Sequence, residues 1–250
     1  MERIRLAIFA VAGSLLLAFG ILVAFTNFQQ TSFSSSATPL PSGGLELYFT
    51  APDGARVSAL YFDSQSKDSV VLFHQLSSSK ESFANLSRLL AENFTVLAVD
   101  LRGHGKTEYK PITNFEDADY LSMLEDARGA TKFLVSQGKR PFAYGGASIG
   151  ANIALVEAVR ANASKAFLLS PGLDYRGIGI GDASKNFAGS LLVVSSEGDA
   201  YSHDSSEAIM DISQSENKEF VKLSGSAHGT VMLNDTIAKK ISDFLTSTRP

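Results

Sequence analysis

Residues 142–160 read FAYGGASIGANIALVEAVR. The first part, FAYGGAS, is a short apolar run of strand length. The second part carries Ile153, Val156 and Val159 at helical spacing. Between them stands Gly146-Ala147-Ser148-Ile149-Gly150, a G-x-S-x-G turn. A strand that passes directly into a helix must turn sharply, and a serine at that turn stands clear of the sheet. The two glycines leave room where side chains would clash between strand and helix.

Working outward, the same alternation repeats. LELYFT (45–50) and ARVSALYF (55–62) alternate apolar and polar residues around Asp53-Gly54, which predicts an antiparallel hairpin. Short apolar runs suited to buried parallel strands follow: SVVLFH (69–74), FTVLAVD (94–100), KAFLLSP (165–171), SLLVVSS (190–196) and EFVKLSG (219–225). Helical spacing appears between most of them, at Leu86, Leu89 and Leu90, at Leu121, Leu124, Ala127 and Phe133, and at Ile237, Ile241 and Leu245. Repeated strand–helix alternation predicts an α/β fold with a mostly parallel sheet covered on both faces. In such sheets, sites form at the carboxyl ends of strands.

The 250 residues suffice for one large domain or two small ones, and no internal repeat is present. Hydrophobic residues at 44% and charged residues at 19% suit a globular core. A net charge of −4 gives no electrostatic reason for a nucleic-acid partner. The lack of cysteine excludes disulfides, thiolate nucleophiles and cysteine–zinc sites.

Arg3 and Arg5 precede an apolar run from Leu6 to Phe25, and no further charge occurs before Glu46. Such a run reaches about 30 Å as a helix, the thickness of a bilayer's hydrocarbon core. Residues 1–26 therefore read as an N-terminal membrane anchor. The alternative is a secretory signal cut near Ser35-Ser36-Ala37. The positive-inside tendency keeps the two arginines in the cytoplasm and places the remainder outside it. Residues 27–44, rich in Ser, Thr, Pro and Gly, read as a flexible linker, and 45–250 as the folded domain.

A serine nucleophile needs a base, and the base needs an orienting partner. In a strand–turn–helix setting the chain order is serine, carboxylate, histidine. Only His203 and His228 follow Ser148. His228, in Gly225-Ser226-Ala227-His228-Gly229 after the last strand, is the candidate base, because His203 lies too near the acid loop. Asp199 in Glu197-Gly198-Asp199 is the candidate acid, with Glu197 and Asp204 as alternatives. His74 and His104 precede the serine and read as structural residues at strand ends. No HxH or HExxH spacing points to a metal. Two backbone N–H groups would receive the oxyanion, one on Ile149 and one on Leu76. Four N-x-S/T sequons occur, at Asn85, Asn93, Asn162 and Asn234.

Five stretches, VVLFHQL, AVDLRGHGKT, YGGASIGA, VVSSEGDAYS and GSAHGT, resemble in that order the α/β-hydrolase superfamily, and most closely its dienelactone-hydrolase-like and small peptidase-like serine esterases. The resemblance covers about 45–250. It implies an eight-stranded sheet whose second strand is antiparallel, with Ser148, Asp199 and His228 as a catalytic triad. It implies a small-molecule ester or acyl substrate and no cofactor. Dienelactone hydrolases use a cysteine nucleophile, which this chain lacks, so their substrate is not implied. Gln75 stands where many relatives place glycine. Only 172–189 separate two strands where relatives often carry a helical cap, so an open site is expected, with LDYRGIGIGDASKNF as a mobile rim. The leading expectation is a carboxylic-ester hydrolase. A peptidase, a thioesterase and a non-catalytic binding protein of the same fold are the alternatives.

Overall fold

The computed structural model describes residues 38–39 and 44–247. The expected anchor or signal helix falls on residues outside these. Among the described residues, no helix is long and apolar enough to cross a membrane.

Among the described residues, eleven strands and six α-helices alternate along the chain. The strands are β1 (Thr38–Pro39), β2 (Leu45–Thr50), β3 (Arg56–Phe62), β4 (Asp68–Phe73), β5 (Thr95–Val99), β6 (Arg140–Ala147), β7 (Lys165–Leu169), β8 (Asp174–Tyr175), β9 (Ile178–Gly179), β10 (Ser190–Ser196) and β11 (Lys218–Leu223). The helices are α1 (Ala84–Leu90), α2 (Asp117–Ser136), α3 (Ile149–Arg160), α4 (Gly181–Asn186), α5 (Ala200–Ile212) and α6 (Asp235–Thr246). Nine strands form one sheet in the order β1-β2-β3-β5-β4-β6-β7-β10-β11. The expected hairpin is β2–β3, and β3 also runs antiparallel to β5. From β5 to β11 every pairing is parallel. The eight expected strands are β2 to β7, β10 and β11, and Thr38–Pro39 add a ninth at the edge by pairing antiparallel with Leu45 and Glu46. These two residues lie in the stretch read as linker. Pro39 lacks an N–H, and an edge strand tolerates that loss.

Period-two alternation splits the core into two layers. Val71, Phe73, Leu97, Val99, Leu168 and Val193 face one side, where α2 and α3 contribute Met123, Ala127, Ile153 and Leu155. Val70, Leu72, Val96, Ala98, Leu169 and Val194 face the other, where α1 and α6 contribute Leu86, Leu90, Ile237, Ile241 and Leu245. The α6 stripe is set by that i, i+4, i+8 spacing, and the Asn234 side chain accepts the Ile237 N–H at 3.0 Å to start the helix. At its far end Lys165, the buried first residue of β7, donates to the carbonyls of Phe244 at 2.6 Å and Ser247 at 2.7 Å.

The loop after β5 is built around buried charge. The Asp100 carboxylate accepts from Lys80 Nζ at 2.5 Å, Lys80 N at 2.8 Å and Lys106 N at 2.9 Å. Lys80 and Asp100 are both fully buried. Next to them, Arg102 grips Asp126 with Nε and Nη2 and reaches Asp53 with Nη1. DLRGHGK is thus a structural staple beside the site.

Candidate active site

β6 ends at Ala147 and α3 begins at Ile149, so Ser148 alone makes the turn. Its backbone sits at φ 53° and ψ −124°, in a region that costs a non-glycine residue about 1–3 kcal/mol. The Ser148 N–H donates to Leu169 O at 2.8 Å. A Cβ on Gly146 would collide with the Gly150 backbone, and one on Gly150 would collide with the carbonyls of Phe73 and His74. The glycines of the motif therefore let α3 start against the end of β4. Ile149 lies in the first helical turn, where N–H groups have no intrahelical acceptor.

β10 leads through Glu197-Gly198 to Asp199, which directly precedes α5 without a side-chain capping bond. β11 leads to the loop that carries His228. His228 Nδ1 and Asp199 Oδ2 are 2.7 Å apart. Glu197 and Asp204, the alternative acids, are exposed and make no hydrogen bond with His228 among the described residues. His203 faces elsewhere, with Nδ1 3.2 Å from Ser195 Oγ and its ring against Phe220. Among the described residues no hydrogen bond joins Ser148 Oγ to His228.

His74 and His104 hold the loop that bears Leu76. The His74 ring is fully buried, with Nδ1 2.7 Å from Gln75 O and Nε2 accepting the Leu101 N–H at 3.1 Å. This pattern requires the neutral ring with its proton on Nδ1. A trans peptide points its C=O and N–H in opposite directions. The Gln75 carbonyl is turned toward His74, so the Leu76 N–H of the same peptide points away from it. His104 Nε2 accepts the next N–H, that of Ser77, at 3.1 Å. The two rings lie edge to face at 5.0 Å.

Burial, opposed by the hydrogen bond to Gln75 and reinforced by His104, pushes the His74 pKa down. The unfolded chain then binds more protons than the folded one below about pH 6.5, the ordinary histidine value. Stability is therefore flat above that pH and falls as pH drops through it toward the depressed folded value. Urea melts at pH 7.5 and 5.0 should show the lower midpoint at pH 5.0. His74→Asn should shrink that difference, and an unchanged difference would contradict the assignment.

The segment expected as a mobile rim is a folded hairpin, β8–β9, followed by α4. The reason is local. Ile178 and Ile180 are buried, Asn152 Nδ2 donates to Ile178 O at 2.7 Å, and Tyr201 Oη donates to Asp174 O at 2.7 Å. The hairpin brings in Tyr175, which was not singled out from the sequence. Its phenol lies 3.0 Å from Ser202 Oγ and 3.4 Å from Ser170 O, and its ring meets Tyr201 edge to face at 5.5 Å. Burial raises the phenol pKa, hydrogen bonding with Ser202 and Ser148 opposes this, and the Asp199 charge adds to it. Tyr175 thus stands beside the serine on the β7 side, while Leu76 stands on the β4 side. Among the described residues no cluster of side chains could hold a metal ion.

Residues 64–185 match the family described as serine aminopeptidase, S33. No curated protein matches the chain. Among solved structures, the chain is similar to an esterase of Pyrococcus furiosus at 16% identity and a TM-score of 0.68, over 81% of this chain and 89% of that one. It is also similar to a monoacylglycerol lipase of Paleococcus ferrophilus, at 15% identity and a TM-score of 0.63, over 76% of this chain and 98% of that one. A thermophilic esterase from Thermogutta terrifontis matches at 16% identity and a TM-score of 0.63, over 80% and 97%. At such identities the likeness speaks for the fold. The strand order, the turn at Ser148 and these similar structures together show an α/β-hydrolase fold.

Proposed function

We propose that the chain is a serine hydrolase that cleaves carboxylic esters through an acyl-enzyme. The strained turn that displays Ser148 between β6 and α3 carries this reading. Ser148 Oγ attacks the ester carbonyl carbon while His228 Nε2 takes its proton. Asp199, on Nδ1, holds the imidazole in the required tautomer and stabilises its cation. The Leu76 and Ile149 N–H groups receive the oxyanion, assisted by the positive end of the α3 dipole. Collapse breaks the ester C–O bond, and His228 protonates the departing alcohol. Water, deprotonated by His228, then attacks the acyl-enzyme carbonyl, and the acyl–Oγ bond breaks as His228 returns that proton to Ser148 Oγ, releasing the acid. The known esterases and lipase of similar fold support ester substrates by analogy.

The purified chain should hydrolyse p-nitrophenyl acetate and take up one fluorophosphonate on Ser148. A folded chain that does neither would sink the proposal. The S33 match favours a peptidase as the second candidate. Aminoacyl p-nitroanilides cleaved faster than esters would favour it.

Tyr175 narrows the space beside Ser148, so short acyl groups are the expected substrates. Each methylene buried is worth about 0.8 kcal/mol. Removing the phenol would make room for about two more acyl methylenes, so Tyr175→Ala should raise kcat/KM for octanoate relative to acetate by about tenfold. A ratio that does not move would remove Tyr175 as the wall. The apolar run Leu6–Phe25 supports anchorage of the domain outside the cytoplasm at a membrane surface. Release of the full chain by alkaline extraction would count against an anchor and favour the cleaved-signal alternative.

A further inference from the structure

The two amides that follow His228 are both held by side chains from other strands. The Gly229 N–H donates to Ser170 Oγ at 3.0 Å, and the Thr230 N–H donates to Gln75 Oε1 at 2.9 Å. Ser170 follows β7 and is fully buried, with a backbone φ of 48°. Gln75 follows β4 and is half-buried. Its contact with Thr230 joins residues 155 positions apart. Gly229 has φ 60°, and a Cβ there would come within 2.6 Å of Gln75 Oε1. The glycine next to His228 thus accommodates the glutamine amide as well as the turn.

Gln75 therefore has two jobs on its two ends. Its backbone carbonyl lies 2.7 Å from His74 Nδ1, which fixes the peptide whose N–H belongs to Leu76. Its side chain takes the amide two residues beyond His228. We propose that Gln75 is a positioning residue that ties the Leu76 oxyanion loop to the His228 loop, so that base and oxyanion donor keep a fixed separation. This rests on the serine-hydrolase mechanism proposed above. A glycine at this position would leave the Thr230 N–H without that acceptor, and the His228 loop would lose one of its two ties to the sheet.

The test compares the full chain with Gln75→Ala and Gln75→Glu. A glutamate oxygen can accept the same N–H, so it serves as the conservative rescue. Misplacing a catalytic group by about 1 Å costs about 100-fold. Gln75→Ala should lower kcat for p-nitrophenyl acetate by about 10–100-fold, with KM changed little and the melting temperature within a few degrees of wild type. Gln75→Glu should restore most of kcat. Amide hydrogen exchange at Thr230 gives a readout that needs no activity. It should be slow in wild type and Gln75→Glu and fast in Gln75→Ala. Thr230 exchanging equally fast in all three overturns the tie, as does a Gln75→Glu loss as deep as that of Gln75→Ala. A protected Thr230 in a wild-type chain that neither turns over ester nor labels with fluorophosphonate upholds the tie and sinks the hydrolase mechanism instead.

Discussion

Ser148→Ala is expected to lower kcat for p-nitrophenyl acetate by about a millionfold while leaving the fold intact. The size follows from how the three groups work. In the proposed mechanism the hydroxyl would supply the covalent step and the imidazole the proton transfer, and neither would be useful without the other. Losing either the nucleophile or the base of such a triad costs about as much as losing all three, whereas losing the carboxylate alone costs about 10⁴. His228→Ala should therefore match Ser148→Ala, and the double variant should be no worse than either. Asp199→Asn should fall between them and wild type, because His228 then loses the partner 2.7 Å away that fixes its tautomer. A residue in the strained backbone of Ser148 gains little from its hydroxyl, so the thermal stability of Ser148→Ala should stay close to that of wild type. A rate loss of only a few fold would mean that another group is the nucleophile. Losses that simply multiply in the double variant would mean that Ser148 and His228 do not act together.

The second large effect concerns stability. Asp100→Ala should cost about 3–5 kcal/mol, because it strands the fully buried Lys80 ammonium and removes the acceptor of two backbone N–H groups. For a domain of this size each kcal/mol is worth about 2–4 °C in Tm, so a fall of about 6–20 °C is expected by calorimetry. The surface carboxylate of Glu81, 3.1 Å from Lys80 Nζ, can take up part of the loss, which favours the lower half of that range. Replacing both partners with apolar residues, as Lys80→Met with Asp100→Leu, should recover much of the stability, since a buried pair gains in attraction little more than it loses in desolvation. A double variant as unstable as Asp100→Ala would show that the backbone bonds of Asp100, rather than the ion pair, hold this loop.

The sequence exposed the sheet well because parallel strands are buried on both faces, and burial on both faces leaves uninterrupted apolar runs. SLLVVSS coincides with β10, and the remaining expected strands lie within two residues of the observed ends. Helix α5 was not legible. Its buried positions include Ser202, Ser205 and Ser206 beside Ile209, so small hydroxyls stand where an apolar stripe would announce a helix. Chain order pointed to Ser148, Asp199 and His228, but only the 2.7 Å contact separates Asp199 from Glu197 and Asp204. Tyr175 gave no signal of its own, and Gln75 stood out only as a departure from the glycine of many relatives. Each matters through contacts with residues far along the chain, Ser148 and Ser202 for one and Thr230 for the other, and no periodicity encodes such meetings.

The clamp at Lys165 bears on the order in which this molecule can be made. Its ammonium is buried in an inner strand and finds its acceptors on Phe244, Leu245 and Ser247. A nascent chain that has emerged only as far as α5 would have to bury that charge without these acceptors or leave β7 exposed. The centre of the sheet thus completes this set of contacts only once α6 has been made. Until then the chain presents sticky apolar strands to its surroundings, the kind of species that chaperones shield. A stop codon placed just before residue 244 would remove all three of these acceptors from Lys165.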